Sequence, residues 1–232
     1  MSLPVIDTPK YHVTLPGSGE KVVFRPFIVK EQKQLLVAVN GDAEQQLLAV
    51  EDIINACTFG KVNARQLAAY DSEYLFLQIR ARSIGETVAL NLTCSECGNI
   101  QSGSLDLTSV GLDAPPNHTH VFEIDDQITV KMKDPDIQLM DAIRRNNTPD
   151  AVVEFIARSI QSIWRGDELF DANDYSLAEL IDWVEKLNPV NLEALENFFS
   201  TLPVVRHNIE FTCTKCNTKN VAVMEGLQSF FA

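Results

Sequence analysis

The sequence predicts an α+β fold in which two β-hairpins, far apart along the chain, close over one metal ion. Three observations predict it: two Cys-x-x-Cys pairs, an alternating apolar run leading into each pair, and helical periodicity in much of the sequence between them.

The pairs are Cys94-Ser95-Glu96-Cys97 and Cys213-Thr214-Lys215-Cys216. Val88, Leu90 and Leu92 lead into the first, and Val205, His207, Ile209 and Phe211 into the second. That alternation is the period of a half-buried strand. Thr93 and Thr212 immediately precede the pairs, and Gly98 and Asn217 follow them. Gly and Asn both tolerate positive φ, which the turn needs if its backbone N–H groups are to point at the sulfurs. Polar–apolar sequence resumes at 100–107 and 220–224, so each half reads strand, knuckle, strand.

Four thiolates from two such pairs suit one tetrahedral structural zinc per chain. The reading is a split zinc ribbon with metal ligands Cys94, Cys97, Cys213 and Cys216. Residues 98 to 212, 115 in all, separate the pairs. Lengthening a closed loop from about 15 to 115 residues costs only roughly 2 kcal/mol. Structural zinc contributes about 10–16 kcal/mol in small peptides, so the metal wins. Protein atoms would fill every position, which makes the zinc structural rather than catalytic. Two other readings stay open: buried thiols without metal, and a site emptied or oxidised. A thioredoxin-like redox pair belongs at the start of a helix, whereas these pairs cap hairpins. His118, His120 and His207 read as ordinary polar or half-buried histidines, and Cys57 as a small core residue of a helix.

Residues 1–28 predict an N-terminal β segment, in which Pro16-Gly17-Ser18-Gly19 turns between Tyr11-His12-Val13-Thr14-Leu15 and Lys21-Val22-Val23-Phe24. Gly17, Gly19 and Lys21 lack the spacing of a phosphate-binding loop. A helical part, 29–80, carries three apolar stripes at 29–39, 43–57 and 65–80. The span 81–133 holds the first ribbon half and then a hairpin with arms 120–124 and 127–133. Residues 134–202 read as an inserted helical subdomain opened by Asp134-Pro135, with helix starts at Thr148-Pro149 and at the capping box Ser176-Leu177-Ala178-Glu179. A calcium loop at 171–182 fails, because the obligatory glycine and closing glutamate are absent. The second ribbon half and tail occupy 203–232. The apolar ending Leu227-Gln228-Ser229-Phe230-Phe231-Ala232 either folds back or docks on a partner.

Nineteen basic residues against 32 acidic ones give a net charge of −13. Such a balance disfavours nucleic acid and anionic membrane, which want Lys and Arg. Residues 134–202 alone carry 14 acidic against 5 basic residues, a solvated acidic face or one for a basic partner. No apolar run approaches a membrane span, and the N-terminus lacks signal-peptide features, so a cytoplasmic setting is expected.

Several further groups stand out: Arg25-Pro26-Phe27 with Lys30-Glu31, Cys57-Thr58, the run Tyr74-Leu75-Phe76-Leu77-Gln78-Ile79-Arg80-Ala81-Arg82-Ser83-Ile84-Gly85-Glu86, Phe198-Phe199, Pro203 and Phe230-Phe231. Together with the two Cys-x-x-Cys pairs they resemble the baseplate hub subunits and hub assembly proteins of T-even-type contractile-tailed bacteriophages. Asn217 departs from the glycine expected after the second pair. The resemblance implies a non-enzymatic structural or assembly role in the tail baseplate, in the virion or in the host cytoplasm during assembly. Other baseplate and tail proteins would be its partners, with no nucleic acid, membrane or small-molecule substrate. The sequence shows no nucleophile elbow, HExxH, P-loop or nicotinamide fingerprint, which weighs against an enzyme. A nucleic-acid-binding zinc ribbon is the alternative, opposed by the acidic charge.

Overall fold

The computed structural model describes Pro4 and residues 6–226, so the apolar ending 227–232 lies outside the described residues. In chain order come strands β1 (Tyr11–Thr14) and β2 (Lys21–Phe24), then helices α1 (Val29–Val39), α2 (Ala43–Cys57) and α3 (Ala69–Ile84). Strands β3 (Thr87–Thr93), β4 (Ile100–Asp106), β5 (Gly111–Asp113), β6 (Val121–Glu123) and β7 (Ile128–Met132) follow. The remainder is α4 (Ile137–Arg145), α5 (Pro149–Ser159), β8 (Ile160–Arg165), β9 (Glu168–Asp171), α6 (Leu177–Val184), α7 (Pro189–Ser200), β10 (Val204–Thr212) and β11 (Lys219–Glu225). Helices and several small sheets are thus mixed, in two compact units: 1–113 with 204–232, and 114–203.

In the first unit, the turn between β1 and β2 is held by Asp71, whose carboxylate accepts from Gly17 N at 2.8 Å and Ser18 N at 2.9 Å. The chain's own carboxylate therefore occupies the place an anion would take. A Cβ on Gly17 would stand 2.0 Å from the Tyr70 ring, so the turn is seated there only as glycine. Beyond β2, the Arg25 guanidinium meets Glu31 at 3.0 Å and donates to Pro26 O at 2.9 Å. Glu31 also accepts from Ile28 N at 2.8 Å, satisfying a donor that a helix start otherwise leaves orphaned. Arg25 N donates to Cys57 O at 2.9 Å, joining this knot to the end of α2. Cys57 is fully buried, as its apolar neighbours predict, and burial pushes its thiol up to about 11.

Helix α3 is the centre of this unit. Leu75, Phe76, Leu77 and Ile79 are all wholly buried, more than one helix face can account for, so α3 is packed on several sides. Leu77 and Ala81 belong to one cluster with Val88, Leu90, Leu92, Leu105 and Leu107 of the β3–β4 segment and Val205 of β10. The expected helix at 65–80 begins later: Asn63 caps a short 3-10 turn at Ala64–Gln66, and α3 proper starts at Ala69. Strands β3 and β4 form a hairpin from Thr87↔Asp106 to Thr93↔Ile100, and β10 and β11 another from Arg206↔Glu225 to Thr212↔Lys219. The sequence reading lacks β5, which pairs with the other edge of β10.

The second unit corrects the helical reading of 134–202. Strands β8 and β9 lie inside that span and complete a four-stranded antiparallel sheet, β6-β7-β8-β9. Ile160 and Ile163 continue the three-to-four spacing of α5, which is why they read as helix. In the fold, Ile163 pairs with Val130 of β7, and buried Ile160 and Ser162 alternate with exposed Gln161. Gly166, at φ 59°, turns β8 into β9. The hairpin β6–β7, grouped by the sequence reading with the first ribbon half, belongs to this sheet. Val130, Met132, Ile156, Leu180, Val184, Leu195 and Phe198 form the core between sheet and helices. The cap of α4 is also shifted: Asp136, not Asp134, accepts from Leu139 N at 2.8 Å, leaving Asp134 for other contacts.

Candidate metal centre

Each knuckle is closed by the same pair of backbone bonds. Cys94 N donates to Asn99 O at 2.9 Å and Gly98 N to Cys94 O at 3.0 Å; Cys213 N donates to Thr218 O at 2.9 Å and Asn217 N to Cys213 O at 3.0 Å. Gly98 and Asn217 have φ of 65° and 58°, the left-handed conformation such a turn requires. This repetition places the four sulfurs alike, two from each hairpin.

The sulfurs of Cys94, Cys97, Cys213 and Cys216 all lie within 4.8 Å of one another. Cys94 Sγ is 3.6 Å from Cys216 Sγ, and Cys97 Sγ is 3.6 Å from Cys213 Sγ. A disulfide would bring two sulfurs to about 2.05 Å. Zn–S bonds of about 2.3 Å in a tetrahedron put sulfurs about 3.8 Å apart, so the donor set fits that ion. Cys94 and Cys213 are buried, whereas Cys97 and Cys216 are exposed.

The surroundings favour the thiolate at Cys94 and Cys213. Backbone N–H groups of Cys97 and Glu96, with the Cys216 thiol and Asn220, bring Cys94 down to about 6 against the cost of burial. Cys213 is lowered chiefly by the Cys216 and Lys215 amides. Cys97 goes the other way: the Asn99 amide favours its thiolate, yet burial and the neighbouring sulfurs push it up to about 12. Without a cation the four sulfurs cannot all be charged, because they repel one another. A divalent cation at their centre resolves the conflict.

Two amides that the sequence reading passed over tie the knuckles together. Asn220 Nδ2 donates to Cys94 Sγ at 3.5 Å and to Thr218 O at 2.9 Å, while its Oδ1 accepts from Ser95 N and Ser95 Oγ, both at 2.9 Å. Gln101 bridges the same halves, accepting from Thr214 N at 2.9 Å and donating to Thr212 O at 3.2 Å. The Asn220→Leu variant keeps the branched heavy-atom outline and removes all four bonds at a residue that is 8% exposed. Leaving such partners unpaired is expected to cost about 1–3 kcal/mol, read as a lower midpoint in chemical denaturation.

The T4 bacteriophage base plate protein model matches residues 8–232. The chain belongs to this family. It is 24% identical over 214 residues to baseplate hub assembly protein gp26 of Enterobacteria phage T4, covering 92% of this chain and 94% of that protein. No solved structure matches. Several of the described residues that carry the family resemblance have definite places in the fold, while Phe230-Phe231 lies outside the described residues. Arg25 and Glu31 form the buried pair below α1, the run 74–86 is the body of α3 with its end, and Phe198 lies in the core of the second unit.

His207 stands on β10 opposite Met224, in the strand rather than at the sulfurs. His118 and His120, read from the sequence as ordinary histidines, bring ligand atoms within 4.8 Å of one another with Asp134. His120 Nε2 is 3.1 Å from both Asp134 carboxylate oxygens, and His118 Nε2 is 3.5 Å from Oδ1. The two rings meet edge-on at 4.7 Å, and both rest against Phe198. Burial, then the neighbouring His120, lowers the pKa of His118 against the opposing pull of Asp134.

Proposed function

We propose that the chain is a non-enzymatic structural or assembly protein of a phage tail baseplate, working in the hub region by binding other tail proteins. The observation that carries this is the family match across residues 8–232, joined to a relative that bears the name of a hub assembly protein. It acts in the virion's tail baseplate or in the host cytoplasm during assembly. Cys94, Cys97, Cys213 and Cys216 hold one structural zinc, which makes the two hairpins a split zinc ribbon. The ion supplies a fixed cross-link and, with four protein ligands, no position for a reacting group.

The surface suits contact with protein. On α1, Leu36 is 60% and Val37 75% exposed, side chains that a free-standing helix would gain by covering. The acidic residues of 134–202 suit a basic protein surface. The alternative of a nucleic-acid-binding ribbon meets a net charge of −13, which repels phosphate.

The test is a phage lacking this chain, complemented in the host. Loss of finished baseplates, restored by the wild-type chain and not by Val37→Glu, is the expected result. Normal baseplates and normal yield without the chain would overturn the proposal. Mass spectrometry of finished particles then separates a resident hub component from an assembly aid.

A further inference from the structure

We propose that His118, His120 and Asp134 form a second metal site, which takes a divalent transition metal of the zinc class on two imidazoles and a carboxylate. It lies in the second unit and shares no residue with the four cysteines.

The hydrogen bonds around His118 carry the argument. Thr201 Oγ1 donates its single proton towards the main-chain carbonyls of Phe198 at 3.1 Å and Asn197 at 3.2 Å. We take the same oxygen to accept from His118 Nδ1–H, at 3.1 Å, one of the two tautomers that this contact allows. In the neutral ring that assignment leaves a lone pair on Nε2. Nε2 faces Asp134 Oδ1 at 3.5 Å, the outer limit of a hydrogen bond, and is left without a satisfying partner. The His118 side chain is only 9% exposed, so water does not readily supply one. In that tautomer a ring lone pair and a carboxylate oxygen face each other, with His120 Nε2 3.1 Å from both carboxylate oxygens, an arrangement that a cation among the three groups makes favourable.

The distances agree. Bonds of about 2.0–2.1 Å from zinc to nitrogen and oxygen give tetrahedral edges of about 3.4 Å. The observed separations from Asp134 Oδ1 are 3.5 Å to His118 and 3.1 Å to His120. Thr201 and Phe198 fix the ring of His118 as an outer shell should. The His120 side chain is 40% exposed, which leaves an open side for water or a further ligand. Two imidazoles select zinc, cobalt or nickel over magnesium and calcium. Bound metal would tie the segment before β6 to the end of β7.

Cobalt(II) added to the untagged, metal-free full chain distinguishes the sites. Thiolate ligation gives an intense sulfur-to-metal charge-transfer band, and a nitrogen and oxygen site gives only weak visible bands. Two classes are expected in the wild type. His120→Gln and Asp134→Asn should each abolish the weak class, leave the thiolate class, and lower zinc content by one equivalent. Thr201→Val should weaken zinc at this site about 10–100-fold. A wild type without the weak class, or a weak class that persists in both ligand variants, would overturn the proposal. A weak class without the thiolate class would uphold it and sink the four-cysteine reading instead.

Discussion

Changing Cys213 and Cys216 together to serine should release one equivalent of zinc and unfold the ribbon half of the first unit. The two hairpins approach through their knuckles, and sulfurs only 3.6 Å apart have no attraction of their own to hold them there. A structural zinc contributes about 10–16 kcal/mol in zinc-finger peptides. Whole-domain stabilities are about 5–15 kcal/mol, so its loss is not absorbed by the rest of the fold. The packing of Leu92 and Val205 with α3 would remain as a residual hold. The measurement is metal content together with limited proteolysis, with new cleavage expected within 87–106 and 204–225. Cys94→Ser with Cys97→Ser should behave identically, because each pair is useless without the other. Unchanged metal content and an unchanged unfolding midpoint in both variants would leave buried thiols without metal as the reading.

Removing the carboxylate of Glu31 should cost about 3–5 kcal/mol, the loss typical when one partner of a buried ion pair is deleted. Its side chain is 5% exposed and that of Arg25 15%, so Glu31→Ala leaves a guanidinium with little water to turn to. The same change orphans Ile28 N at the start of α1. Glu31→Gln keeps an acceptor for that amide and should cost less. Burial alone would raise the pKa of Glu31, but the Arg25 guanidinium and the Ile28 amide outweigh it and hold the value below the ordinary range. A lowered folded value has a definite sign: the stabilisation is whole above the unfolded value of about 4.3 and is lost as pH falls through the folded one. Calorimetry at pH 7 and across the acid range checks both statements. A Glu31→Ala midpoint equal to wild type would show the pair to be unimportant.

The four cysteines are legible in the sequence because a Cys-x-x-Cys pair and its turn are local. Alternation before Cys94 and Cys213, and a residue tolerant of positive φ after Cys97 and Cys216, need no knowledge of the rest of the fold. Strands β8 and β9 are hidden for the opposite reason. Ile156, Ile160 and Ile163 suit a helix stripe as well as a strand, and only pairing with β7 decides between them. The Gly166-Asp167 pair between two apolar runs is the overlooked hairpin signal. Asp134 looks like a helix cap because a proline follows it, yet Asp136 does the capping. The register of β6 on β7 holds the remaining clue. Met132 N reaches His120 O at 2.7 Å, which sets the segment after β7 beside the histidine. No local motif announces that meeting.

The pairing of β5 with β10 has a topological consequence. Asp113 and Val204 are directly opposed across the ladder, so the 90 residues between them leave the first unit and return to it at a single doorway. The second unit is therefore a cassette. A turn of a few glycines joining β5 to β10 could replace it, and only residues 98–113, that turn and residues 204–212 would then separate the cysteine pairs. Both knuckles lie in the first unit, so a change in the length of such a cassette would leave their residues untouched.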